Sequence, residues 1–249
     1  MTLLAEGVCK VYLVEALRDA EGYTRESERR MSGIVNRQNR LGQAIKAHFS
    51  ALPVPGAISK KVSTKMVLKA ELRSGASLTI GCAKVKEGRA PGHFALYWMV
   101  SMTGGPIFEI MSATHLTTPR FARPFVFTST SHDFPSRAHF EIGPDGDADA
   151  VAQAITFEVR KRALPLVEAF ESVPARALDC VLKDAAGAVY NPFATSLILM
   201  HFAGQTERLR EITEVAAAAK TFYDYADARD PQADIVEPLK RWFESHPPG

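Results

Sequence analysis

Ser131, His132 and Asp133 stand side by side and are the three residue types of a hydrolytic triad. In a working triad the base must reach the nucleophile on one side and the acid on the other. Neighbouring residues of an extended segment point to opposite faces, so three adjacent residues do not make that arrangement. We therefore interpret this stretch as part of a loop and predict no catalytic residue in it.

A group of histidines and carboxylates raises metal chemistry as an alternative. His132, Asp133, His139 and Glu141 follow one another closely, and zinc accepts imidazole and carboxylate ligands. His139 and Glu141 would share one face of a strand. The spacing matches no recognised zinc motif, so we predict neither a metal nor a cofactor. A metal-dependent or other hydrolase with a site near His132 and His139 remains an alternative.

Phosphate binding is not predicted either. Gly104-Gly105-Pro106 forms a glycine turn, but we find no lysine and expect no helix after it, both of which a phosphate loop needs. The predicted strand that follows it is Ile107–Met111.

Nucleic-acid binding is the second alternative. Phe94, Leu96 and Trp98 would share one face of a strand, and single-strand binders combine such aromatics with a basic groove. The basic residues are scattered, the net charge is only +2, and Arg160-Lys161-Arg162 is typical of a solvated helix face. We therefore predict that the strand aromatics pack in the core and do not expect a nucleic-acid partner.

Two loops are the predicted binding surface, Glu87–Gly92 and Thr114–Ser136. The second is long for a connection between strands, and long loops in compact domains are often functional. It also contains phenylalanines and arginines, which are frequent in binding hot spots. The predicted binding residues are Arg120, Arg123, His132, Asp133 and Arg137.

The elements that must position these residues change character near Asp145–Asp149. Before it, apolar residues alternate with polar ones, as in a strand with one buried face. After it, Val151, Ile155, Val159 and Ala163 recur at helical spacing. The chain therefore predicts an α+β fold: a mostly antiparallel sheet of five or six strands, flanked by N-terminal helices and followed by a C-terminal helical half.

The predicted strands begin near Lys65 and the predicted helices are bounded by capping residues and prolines. Pro165 should kink or break its helix, and Ser172 should cap the next one. The strand candidates are Met66–Leu72, Ser77–Cys82, Phe94–Met102, Ile107–Met111, Pro124–Thr130 and Ala138–Ile142. The helix candidates are Leu3–Leu17, Ile34–Leu52, one that opens at Asp145–Asp149 and is interrupted at Pro165, one from Ser172 to Leu182, Phe193–Phe202, Glu207–Ala226 and Ile235–Glu244.

We divide the 249 residues into three parts: 1–30, an N-terminal helix and charged connection; 31–182, the α+β domain; and 183–249, a helical subdomain packed on it. Met31 is an alternative start. No stretch approaches the roughly 18 uncharged apolar residues of a membrane span. Cys9, Cys82 and Cys180 are far apart and odd in number, which favours a reducing cytoplasm over a disulfide framework.

The segment from Asp147 to Val173 resembles uncharacterised bacterial domains of unknown function. In those domains a strand-rich half precedes a helix that ends in Ala-Leu-Pro and then an acidic or serine turn, here Ala163-Leu164-Pro165 and Glu171-Ser172. The resemblance covers residues 34–182, and some of these domains lie beside secreted toxins. It implies a cytosolic protein and supplies no catalytic residues.

The sequence thus favours a non-catalytic cytoplasmic binding protein over an enzyme. In its most specific form this prediction is an immunity protein that neutralises a bacterial toxin by direct contact.

Overall fold

The computed structural model describes residues 35–36, 38–63, 66–85, 93–116, 125–131, 139–143, 146–185, 188–218 and 232–246. The predicted first helix and the predicted Glu87–Gly92 loop lie outside these ranges.

The first described helix, α1 (residues 38–51), confirms its prediction. Leu41, Ile45 and Phe49 recur at helical spacing and are fully buried. The helix ends before Pro53, which cannot continue it. Lys60 closes it from the neighbouring strand, because its Nζ donates to the carbonyl oxygens of Ser50 at 2.7 Å and Leu52 at 2.8 Å.

Among the residues described, six strands form one antiparallel sheet, as predicted. Five of them follow chain order across the sheet, and the sixth pairs with the fourth strand. Residues 188–190 continue the sheet beyond the fifth strand, where Thr128 N donates to Ala188 O and Tyr190 N to Val126 O. The strands are β1 (Ala57–Val62), β2 (Val67–Leu72), β3 (Ala76–Lys84), β4 (Phe94–Gly104), β5 (Phe125–Thr130) and β6 (Phe140–Ile142).

Sequence analysis missed β1, since it placed the first strand near Lys65. Every side chain of β1 is exposed except Val62, which is half-buried. A strand without a buried face has no apolar alternation, and that alternation is the signal on which the prediction depends.

The predicted strand Ile107–Met111 is wrong: these residues belong to helix α2 (Gly105–Ala113). Gly104 and Gly105 both have φ of 77°, a conformation open to glycine, and they turn the chain out of the sheet. Pro106 then starts the helix, where its missing N–H is not needed. The expectation that no helix follows this glycine turn was also wrong, because a short apolar run does not separate a strand from a buried helix.

The helical half begins with α3 (Ala148–Glu158), which Asp147 caps by accepting from Asp149 N at 2.8 Å. The helix does not break at Pro165, and the alternative of a kink stays a prediction. A wider π-helical turn, Val159–Ala163, leads directly into α4 (Leu164–Phe170), which holds Pro165 in its first turn. Such a turn accommodates the proline because it shifts the backbone bonding by one residue.

The prediction for Ser172 was also wrong. Its hydroxyl donates to Ala169 O at 2.7 Å and so closes the end of α4. Val173, without a side-chain cap, precedes the next helix. The remaining helices are α5 (Pro174–Cys180), α6 (Pro192–Ala203), α7 (Leu209–Ala218) and α8 (Glu237–Ser245), with π-helical turns at Val181–Ala185 and Gln232–Val236.

Helix α6 lies at the centre of the helical half, and its residues 192–200 are all buried. Asn191 caps it by accepting from Ala194 N, and Gly204 ends it in a left-handed conformation. One hydrophobic cluster joins α1, the sheet and the helical half. Within the described ranges, no helix is long and apolar enough to cross a membrane.

Candidate functional site

The sheet has two chemically different faces because side chains alternate along each strand. The even-numbered side chains of β2, β3 and β4 pack into the hydrophobic core with the helices; we call this the covered face. It consists of Leu68, Ala70, Leu72, Ala76, Leu78, Ile80, Cys82, Leu96, Trp98, Val100 and Met102.

The opposite surface, which we call the open face, is built largely from hydroxyl-bearing residues. The cross-strand register aligns one residue from each of five strands in a single row: Lys61, Lys69, Thr79, Ser101 and Thr128. The three outer members of this row are exposed, and Thr79 and Ser101 are half-buried. Ser77 and Thr103 form a second pair beside this row.

Met99 is the large apolar side chain at the centre of the open face. It pairs with Gly81 on one side and Thr130 on the other, and 40% of its surface is exposed. Gly81 has no side chain, and Val67 and Met99 approach it from its two sides: a Cβ atom on Gly81 would lie 3.6 Å from Val67 Cγ2 and 3.9 Å from Met99 Cγ. A methionine is flexible and polarizable, which suits it to contacts with a partner of irregular shape.

Charge is concentrated at the margins of the open face. Lys61 and Lys69 are cross-strand neighbours on β1 and β2 and form a basic corner. Glu71 accepts a hydrogen bond from the Ser77 hydroxyl at 2.7 Å, and Glu141 lies opposite Ala95 at the far margin. The face therefore has an uncharged centre between charged borders.

The sheet is interrupted at the edge of β4 where two separate strands pair with it. Both β5 and β6 pair with the same edge of β4 in the same direction. Thr130 is opposite Met99 and Phe140 is opposite Leu96, positions about 10 Å apart along a strand. Residues 131–139 connect them. His132, Asp133 and Arg137, three of the predicted binding residues, are in this connection and lie outside the described residues.

Arg120 and Arg123, the other two, also lie outside the described residues, between Leu116 and Phe125. Phe125 pairs with Thr103 at the opposite end of β5 from Thr130. A strand of this length spans roughly 17–20 Å. The two connections therefore attach at separate ends of β5, and all five predicted residues remain predictions.

The predicted histidine–carboxylate group is only partly described. Glu141 is exposed on the open face, and His139 is half-buried immediately before β6. Among the residues that the structure describes, no group of three histidine, cysteine, aspartate or glutamate side chains is arranged to hold a metal ion.

The covered face accounts for two further residues that carry potential chemistry. Burial raises the pKa of the Cys82 thiol to about 12, so the thiolate needed for nucleophilic attack is suppressed. Trp98 is fully buried, which confirms that it packs in the core and excludes it as a stacking surface for nucleic-acid bases.

The basic run Arg160–Arg162 lies in the π-helical turn between α3 and α4. There Arg162 pairs with Glu158 at 2.5 Å, and Lys161 lies over the Phe157 ring.

The open face itself was not singled out from the sequence. Its signal is present at the odd-numbered positions, where Ser77, Thr79, Ser101 and Thr103 alternate with core residues. That pattern shows which side chains share a face, but not whether helices cover it.

Comparison with known proteins adds no further assignment, since no family model, curated protein or solved structure matches this chain.

Proposed function

We propose that this protein is a non-catalytic cytoplasmic binding protein that contacts another protein through the open face of its sheet. The observation that carries the proposal is the position of Met99. It is a 40% exposed apolar side chain at the centre of a surface that crosses five hydrogen-bonded strands. Core-forming apolar residues occupy the other side of β2, β3 and β4.

The composition of this surface supports protein recognition. Protein interfaces combine an apolar centre with a polar rim. Tyr97 lies two residues from Met99 on the same side of β4, and Thr79 and Ser101 lie in the adjacent row. Serine and tyrosine give adaptable hydrogen bonding at modest entropic cost in natural binding surfaces. Because these side chains lie on hydrogen-bonded strands, their backbone is already ordered and binding loses little backbone entropy.

The borders of the face define the partner's chemistry. Lys61 and Lys69 present two exposed positive charges side by side. A partner would therefore carry a carboxylate opposite this corner and an apolar side chain opposite Met99. Charge complementarity of this kind mainly sets orientation and association rate.

The specific form of the proposal is an immunity protein that neutralises a toxin. It is supported by the resemblance of residues 34–182 to uncharacterised domains, some of which lie beside secreted toxins. His132, Asp133 and Arg137 would extend the surface, since their connection starts next to Thr130, the cross-strand neighbour of Met99. Arg120 and Arg123 would contribute from the connection at the other end of β5.

Co-expression tests the proposal. Each toxic product of a neighbouring gene is expressed with the wild-type chain, and growth and complex formation by size-exclusion chromatography are measured. We expect one product to be neutralised in a stoichiometric complex. Met99→Asp should abolish protection because it places a charge at the centre of the contact.

Phe157→Asp is the matched control. Phe157 is an exposed apolar residue, 59% accessible, on α3 rather than on the open face. The Phe157→Asp substitution should leave protection against the toxic product intact. A chain that forms no complex and protects against none of these products would contradict the proposal. Equal loss of protection in the Met99→Asp and Phe157→Asp variants would show that the contact does not depend on the open face.

A further inference from the structure

A small cavity lies on the side of the sheet opposite the open face. It has a volume of about 140 Å³ and is situated where the end of β4 and the start of α2 meet β5 and helices α4, α5 and α6. Its walls are mainly apolar: Ala76, Met102, Val126, Phe170, Ala177 and Leu199.

The backbone turn at Gly104 and Gly105 explains why space remains here. Both residues have φ of 77° and direct the chain away from the sheet before α2 begins. A Cβ atom on Gly105 would lie 3.3 Å from the Cβ of Ala76. Ala76 and Ala177 are small residues on two walls of the cavity, so neither fills the volume beside the turn.

Hydrogen bonds hold the rim of the cavity in place. Glu171, which follows α4, accepts from the hydroxyl of Ser74 and from Ser74 N, which links the β2–β3 turn to the helical half. Ser172, also on the rim, donates its hydroxyl proton to Ala169 O. The walls are therefore positioned by contacts within the protein, and binding would need little reorganisation.

We propose that this cavity binds a free monocyclic aromatic compound that carries one hydrogen-bond donor, as phenol does. An apolar cavity of about 150 Å³ accommodates a benzene ring, which matches the volume here. The donor preference follows from Ser172. Ser172 is a solvent-exposed residue of the lining, and because its hydroxyl donates to Ala169 O, the lone pairs of its oxygen can accept a hydrogen bond from a ligand bound beside it.

This site is separate from the open face, so it does not depend on the proposed protein-binding function. The alternative occupant of the cavity is an aromatic side chain of a partner protein, which would present the same kind of ring. Both alternatives predict phenol binding to the isolated chain, but only a partner's side chain predicts that Ala177→Leu, which fills the cavity, also abolishes complex formation with that partner.

Titration of the full chain with 4-fluorophenol, followed by ¹⁹F NMR and by thermal unfolding, tests the proposal. We expect saturable binding at one site and a rise in the melting temperature with ligand concentration. Displacement by phenol should be at least fivefold more effective than displacement by anisole, which has no donor. Absence of saturation at millimolar concentration would overturn the proposal.

Two variants locate the site. Ala177→Leu fills the cavity from α5 and should weaken binding at least tenfold. Ala76→Val narrows it from β3 and should do the same, which keeps the test valid if one variant fails to fold. Ala154→Leu, on α3 and away from the cavity lining, is the control and should bind as wild type. Unchanged binding in the folded cavity variants would contradict the assignment.

Ser172→Ala tests the donor preference separately. Binding of toluene should be unaffected, while the advantage of phenol over anisole should disappear. An undiminished preference for phenol would show that Ser172 is not its partner.

Discussion

The covered and open faces of the sheet come from the same strands, and often from residues that are neighbours in sequence. On β4, Val100 is fully buried in the core, whereas 40% of Met99 is exposed. On β3, Ile80 is fully buried beside the half-buried Thr79. The comparison shows that one strand sequence places core residues at positions 80 and 100 and partly exposed residues at positions 79 and 99.

This division has an energetic basis. Fully burying a side chain such as valine or isoleucine contributes about 1.5–3 kcal/mol to stability. Surface substitutions away from special features usually change stability by less than about 0.5 kcal/mol. The residues of the open face are therefore available for recognition, since their identity contributes little to folding.

The largest effect is expected from Val100→Asp. It places an unpaired carboxylate in the core, at a cost of several kcal/mol out of a typical total of about 5–15 kcal/mol. We expect an unfolded or insoluble protein. Met99→Asp, one residue away, should shift the urea midpoint only slightly. Similar losses in the two variants would show that the faces are not distinct.

A smaller effect is expected at the helices that cover the sheet. Asn191 is buried, caps α6 and has φ of 43°, so Asn191→Ala loses the cap and strains the backbone. We expect a loss of about 2 kcal/mol in unfolding free energy. Asn191→Gly tolerates that φ and should lose less. Asp147→Ala, at the exposed cap of α3, should cost about 0.5–1 kcal/mol. A buried cap no more sensitive than the exposed one would contradict this ranking.

The third effect is on reactivity rather than stability. Burial raises the pKa of Cys82 to about 12, so at pH 8 only about one thiol in ten thousand is ionised. Cys82 should remain unmodified by iodoacetamide in the native protein. Thr79→Cys, three residues earlier on the open face, should react readily. Peptide mapping by mass spectrometry measures each site separately, and equal labelling of both would refute the assignment of faces.

Much of the fold was predictable because its signals are local. Alternation located β2, β3 and β4, helical spacing located α1, and an apolar run ended by Gly204 located α6. The errors arose where local signals were ambiguous. Ile107–Met111 is too short to separate helix from strand, β1 has no buried face, and a π-helical turn accommodates Pro165.

The candidate site was less predictable than the fold. The alternation on β3 and β4 shows that Thr79 and Ser101 share one side. Whether that side is covered depends on where helices from distant parts of the chain pack, and no local pattern encodes this. The sequence instead directed attention to loop residues such as Arg120 and His132, which lie outside the described residues.

The most direct test of the proposed open-face binding surface is a calorimetric comparison of two variants with the toxic product that the co-expression experiment identifies. Met99→Asp should weaken binding at least a hundredfold while its unfolding midpoint stays near that of wild type. Phe157→Asp should bind as wild type. Wild-type affinity in a folded Met99→Asp variant would contradict the central claim.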